Sequence, residues 1–188
     1  QAEAHGEAQG AVELEDWPPY SVNVARWEWP PWLKLTAYTR ENIEATDTLL
    51  TLFPSTVPVR DCRGFETHPF GRCYVEFEYD DHEGQRCPIY EEFTFNDAGE
   101  ITWIEAWSDV DGLRPTTDED PWGDGDDMVR LSSRIPGLGN ADGLIDLDSD
   151  AMQQAAADDP DVDDFVVRAN DWYGTWMEEL ANSGDDMW

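Results

Sequence analysis

GRCYVEFEYDDHEGQRCPIYEEFTFNDAGEITWIEAWSD, residues Gly71–Asp109, contains three consecutive stretches of alternating character joined by short polar connections. In Cys73–Tyr79 the odd positions are Cys73, Val75, Phe77 and Tyr79, and they alternate with Glu76 and Glu78. Period-two alternation is the mark of a half-buried strand. In Cys87–Phe95 the odd row reads Cys87, Ile89, Glu91, Phe93 and Phe95, with Glu91 its single charged member. Asn96-Asp97-Ala98-Gly99 has turn chemistry, and Gly99 is free to take a positive φ. If the hairpin pairs Phe95 with Glu100, Glu91 lies opposite Ile104, and Thr102, Ile104 and Ala106 share its face. The opposite face then carries Tyr90, Glu92, Thr94, Trp103, Glu105 and Trp107, an aromatic and acidic mixture.

One face of this sheet is therefore apolar and holds a carboxylate. Desolvation penalises the charged form of such a group. A neutral Glu91 can donate a hydrogen bond to a developing oxyanion or carry a proton. Ile89, Phe93, Ile104 and Ala106 would line the pocket around it. The alternative is that Glu91 reaches solvent at a strand end or pairs with an arginine. A one-residue slip in register would move it to the other face.

The chain has 188 residues, enough for one domain with a proper core. Its formal net charge is -32, with Lys34 the only lysine beside ten arginines. This balance argues against nucleic acid and anionic membrane surfaces as partners. It suits a saline medium, where screening shortens the repulsion; codon bias is an equal explanation of the missing lysines, though not of the Asp excess. No apolar run is long enough to insert across a bilayer. A start at Gln1 fits a mature chain after removal of an export signal, secreted or periplasmic. Cys62 and Cys73 flank the His68-Pro69-Phe70-Gly71 turn almost symmetrically and can face each other as a disulfide, or stay as buried thiols beside Cys87. No Cys/His cluster suggests zinc, and no cofactor or metal is expected.

Residues 1–16 read as a flexible acidic arm. WPPYSVNVARWEWPPW (Trp17–Trp32) follows; Val22–Trp27 reads as a short strand and the proline pairs interrupt regular pairing. Its tryptophans close a core or an interface, or stack on sugar rings. Thr39 caps a helix whose stripe is Ile43, Thr46, Leu49, Leu50 and Phe53, ended by Pro54. Val57–Glu66 is the next strand. It holds Asp61, either a partner carboxylate for Glu91 or a solvated strand-end acid. Residues 113–150 are an acidic loop region in which Asn140–Asp146 imitates the middle of a calcium loop but lacks both of its end ligands. Asp148 or Ser149 caps a helix through Ala157, and Pro160 opens another with Val162, Phe165, Val166, Ala169, Tyr173, Trp176 and Leu180 at helical spacing. The organisation expected is a single domain: arm 1–16, core 17–112, acidic loops 113–150 and a helical extension 151–188 packed on the core.

The order of one helix followed by four strands, with FTFNDAGEITWIEAWSD (Phe93–Asp109) as the last hairpin, resembles the nuclear transport factor 2-like superfamily. Within it, the text is most similar to the SnoaL-like polyketide cyclases and the ketosteroid isomerases. The resemblance covers about residues 39–109. It implies an α+β fold, a curved antiparallel sheet wrapped by helices into a cone with an apolar pocket inside. Matched by its Phe and Gly, the hairpin places Glu91 where ketosteroid isomerases carry the pocket acid that binds the oxyanion, with Glu in place of Asp. The family's base sits on a strand before the helix; Glu28 is the acid in that region here. The family's N-terminal helices have little room, so the C-terminal helix is expected to pack its Phe165/Tyr173/Trp176 stripe on the apolar sheet face.

Two classes of function follow. One is a cofactor-free isomerase, cyclase or dehydratase acting on a small apolar molecule, with Glu91 as acid or oxyanion donor and Tyr38, Glu28 and Asp61 assisting. The other is a non-catalytic extracellular protein that uses the same fold for assembly or carriage. Under either, an aromatic sheet face left open would favour a homo-oligomer.

Overall fold

The computed structural model describes residues 19–50, 55–65, 70–79, 86–112, 120–123, 130–138, 145–174 and 177. The arm, residues 140–144 of the calcium-like segment, and Trp176 and Leu180 of the C-terminal stripe lie outside them. Among the described residues the elements in chain order are β1 (Tyr20–Trp29), β2 (Ala37–Tyr38), α1 (Arg40–Leu50), β3 (Ser55–Gly64), β4 (Phe70–Tyr79), β5 (Arg86–Phe95), β6 (Ile101–Ser108), a 3-10 turn (Leu131–Ser133), α2 (Asp150–Asp158) and α3 (Pro160–Asn170). The fold is α+β.

The strands form one six-stranded sheet in the order β2-β1-β6-β5-β4-β3. All neighbours are antiparallel except β1 and β6, which run parallel. Register shifts interrupt β1–β6, β3–β4 and β5–β6. Such irregularities bend a strand and add twist, which curves the sheet.

The last hairpin departs from simple pairing. Asn96 accepts from the Ala98 and Glu100 N–H groups through its side chain, and Gly99 has φ 78°. Thr94 pairs with Trp103 but Phe95 with Ile101, so one residue of β6 is extra. Glu91 consequently lies opposite Ala106, not Ile104, and Phe93 takes the place opposite Ile104. The displacement is two residues. An even shift keeps the side chains from Trp103 to Ser108 on their predicted faces, but the extra residue puts Ile101, not Thr102, in the inner row with Phe93 and Ile104.

The inner face buries Tyr20, Val24, Val75, Phe93 and Ile104 together with Ile43 of α1. The outer face buries Ala25, Trp27 and Trp103 against Leu131, Met152, Val162 and Phe165. The C-terminal helix thus covers the face opposite to the expected one. Phe165 packs edge-on against Trp103 at 5.2 Å, while Tyr173 is exposed. The physical reason is that α1 already covers the inner face, and the outer aromatic row needed a partner. Val162, Phe165 and Val166 are all buried there. Each such side chain is worth roughly 1.5–3 kcal/mol of apolar transfer. The aromatic row is covered within the chain, with Trp103 and Trp107 each 1% exposed, which removes the ground for expecting an oligomer through that face.

Local signals set the helix ends. The Ser149 hydroxyl accepts from Met152 N–H, and Pro160 stands in the first turn of α3 behind the Asp159 cap. Arg134 clamps that junction, donating to Asp159 at 2.6 Å and Asp161 at 2.9 Å. Cys62 and Cys73 pair directly across β3 and β4 and are disulfide-bonded, with Cα atoms 4.0 Å apart; Cys87 is a free thiol.

Candidate functional site

Ala106 on β6 is flanked by Glu28 of β1 on one side and Glu91 of β5 on the other. The three residues share the inner face. The Ala106 methyl is small, which leaves room for two carboxylates and whatever lies between them. That group is Arg26, two residues before Glu28 on the same strand face and opposite Ile104.

Arg26 donates to Glu28 Oε1 from Nε at 2.8 Å and from Nη2 at 2.5 Å, and from Nη2 to Glu91 Oε1 at 2.7 Å. All three side chains are at most 3% exposed. Glu28 Oε2 accepts from Leu35 N–H at 2.8 Å. Burial alone would push the Arg26 guanidinium down; the charges of Glu28 and Glu91 outweigh it and raise it above its ordinary value. Arg26 therefore remains a cation, and a cation at this distance favours the charged form of a carboxyl group. The arrangement holds two carboxyl groups on one guanidinium in an otherwise apolar enclosure.

The sequence-predicted residues fall into two groups. Glu91 and Glu28 are brought together, and Ile89, Phe93, Ile104 and Ala106 share their face, none more than 4% exposed. Asp61 does not join them. It pairs in register with Tyr74 on the outer face of edge strand β3, is half exposed, and bonds Arg63 at 2.8 Å. Tyr38 does not join them either. It lies opposite Ala25 on the outer side, and its hydroxyl donates to the Ile145 carbonyl. The place of Tyr38 depends on the non-local pairing of β2 with β1 and β1 with β6, whereas Asp61 adjoins Cys62, whose partner Cys73 is in the Glu91 row, so alternation itself puts Asp61 on the other face.

Three polar residues escaped the reading. Arg26 was legible in principle: in Ala25-Arg26-Trp27-Glu28 the two charges sit two apart, hence on one strand face. Tyr20 and Asp47 form a second inner-face pair, the phenol donating to Oδ2 at 3.0 Å. Burial first, and then the Asp47 charge, push the Tyr20 phenol well above its ordinary value. At the rim of the inner core Leu33, Val57, Phe77, Cys87 and Trp172 are only partly buried. Burial and then the Glu28 charge push the Cys87 thiol up to about 11. Arg168 of α3 ties the rim to the site by donating to the carbonyls of Glu28 (2.7 Å) and Leu33.

Among the described residues no helix is long and apolar enough to cross a membrane, and no group of three or more His, Cys, Asp and Glu gathers where a metal ion could sit.

No family model matches the chain, and no curated protein matches it. Among solved structures it is similar to a protein of the SnoaL-like family from Agrobacterium tumefaciens, at 12% identity and TM-score 0.46, over 58% of this chain and 94% of that one. A protein with a ketosteroid isomerase-like fold from Catenulispora acidiphila matches at 10% identity and TM-score 0.43, over 56% and 82% of the two chains. An epoxide hydrolase/cyclase-like enzyme of pyran ring formation in the polyether salinomycin matches at 14% identity and TM-score 0.43, over 57% and 85%.

Proposed function

We propose that the chain binds a small molecule with a largely apolar body at the inner sheet face, with the Glu28–Arg26–Glu91 triad as its polar end and Leu33, Val57, Phe77, Cys87 and Trp172 at the entrance. The observation that carries this reading is the triad itself: three charged side chains buried together among Ile89, Phe93, Ile104 and Ala106. Burying charge is costly, and replacing such groups by apolar ones is often neutral or stabilising, so a binding role accounts for them better than stability does. Chemistry at this site would be of the isomerase, cyclase or dehydratase type. The carboxyl group of Glu91 or Glu28, held by Arg26, would move the proton. The disulfide fits an oxidising compartment, secreted or periplasmic.

The filled inner face favours a second reading, a non-catalytic carrier or assembly protein in which the triad is a purely structural element. The test is a titration with steroid-like and polyketide-like ketones, watching the methyl resonances of Ile89 and Ile104. Shifts in these methyls that weaken in Arg26→Met support the binding site. No shift with any ketone up to its solubility, in a folded protein, would sink it and leave the assembly role.

A further inference from the structure

The outer face carries a second buried acid pair, which the proposed site does not use. Glu92 of β5 and Glu105 of β6 are direct cross-strand neighbours, 4% and 3% exposed. Like charges so placed repel. Glu92 is met by guanidiniums: Arg72 of β4 donates to its Oε2 at 3.2 and 2.7 Å, and Arg130 to its Oε1 at 2.6 Å. Glu105 is met by neutral N–H groups: Leu131 at 3.0 Å, Ser132 at 3.2 Å and the Trp103 indole at 3.2 Å. On β1 its register partner is Trp27, whose indole donates to Asp164 of α3. Further along the same segment Arg134 is taken by Asp159 and Asp161.

Arg130, Leu131 and Ser132 are consecutive. One short strap is therefore held on the sheet by two adjacent buried carboxylates, with the Leu131 side chain fully buried beneath it. We propose that the strap at residues 130–133 is a proton-operated latch: it closes more firmly when Glu105 is protonated and loosens when Glu105 carries charge beside Glu92. Glu92 is anchored by Arg72 and Arg130. Closure withdraws Glu105 from water without giving it a cation among these donors; opening rehydrates it. Consistent with this, burial pushes the Glu105 carboxyl up to about 7, against the pull of the Leu131 N–H and with the Glu92 charge adding to the rise. Linkage then makes the closed state bind the proton more tightly than the open one. The loosened strap would uncover Trp103 and the outer core that Leu131 seals.

The test is amide hydrogen exchange of Leu131 and Ser132 from pH 5 to 8, corrected for the intrinsic pH dependence of exchange. The opening constant is expected to rise roughly fifty- to a hundredfold and to level off above about pH 7. Glu105→Gln, which cannot titrate, is expected to abolish the rise. A flat wild-type profile, or a rise that survives Glu105→Gln, overturns the latch. If that variant does not fold, carbon-detected titration of Glu105 in the wild-type chain decides: a midpoint near 7 supports the latch, and one in the ordinary carboxyl range overturns it.

Discussion

Arg26 Nη2 lies 2.7 Å from Glu91 Oε1, and the same guanidinium holds Glu28 at 2.5 Å. One cation thus serves two buried carboxylates from strands on opposite sides of β6. Removing it takes the shared cation from both. Arg26→Met is expected to destabilise the fold by about 3–5 kcal/mol, the range for breaking a buried pair by deleting one partner. Glu91→Gln is expected to cost about 1–3 kcal/mol, because Arg26 retains Glu28. Urea unfolding midpoints check both; equal losses would mean that Arg26 does not bridge the two acids.

The Cys62–Cys73 bond closes a loop with a sequence separation of 11. Loop-closure entropy for that length is worth about 3 kcal/mol. The Cys62→Ser/Cys73→Ser double variant is expected to lose that amount in chemical denaturation, with Cys87 as its single thiol. Titration of the unfolded, unreduced wild-type chain with a thiol reagent should count one thiol; three would show that the bond is absent in solution.

Thr39 caps α1 with φ 77°, in the left-handed region that a β-branched residue rarely occupies, and its hydroxyl accepts from Asn42 N–H at a long 3.4 Å. Asn tolerates that region and caps as well as or better than Thr. Thr39→Asn is therefore expected to raise stability by about 0.5–1 kcal/mol, read as a higher melting temperature. A lower one would show that the strain is not there.

Glu105 makes the stability of the whole chain depend on pH with a definite sign. Its carboxyl is pushed by burial from an ordinary 4.5 up to about 7. Between these values the folded state binds more protons than the unfolded one, so the contribution of Glu105 falls as pH rises through that window. The full loss is about 3 kcal/mol above pH 7. The difference between wild-type and Glu105→Gln stability curves isolates it. It should slope between pH 4.5 and 7 and be flat above; no slope there would remove Glu105 as the titrating group.

Much was legible because it is local. Side-chain alternation in a strand has a period of two whatever the partner strand does. The faces of Glu91, Phe93 and Ile104 therefore followed from the text Cys87–Asp109 alone, and survived a two-residue error in register. Ser149 and Pro160 marked helix starts because caps act on N–H groups one turn away. The symmetry of Cys62 and Cys73 about one turn left a disulfide and buried thiols both open, and the structure decides for the disulfide. What stayed hidden depends on which strands become neighbours.

The sequence by itself determined the rows of the sheet apart from Ile101 and Thr102 at the irregular start of β6, the helix starts at Ser149 and Pro160, and the presence of an acid on a largely apolar face, since each depends on residues a few positions apart. Only the tertiary structure decided what that acid is. Docking β1 parallel to β6 places Arg26 between Glu28 and Glu91, 65 positions away in the chain from the latter. It also decided that α3 covers Trp103 instead of Ile104, because α1 already occupied the inner face. Charge pairing across 65 residues is a property of strand order, and strand order follows from the packing of the whole chain, not from any local window.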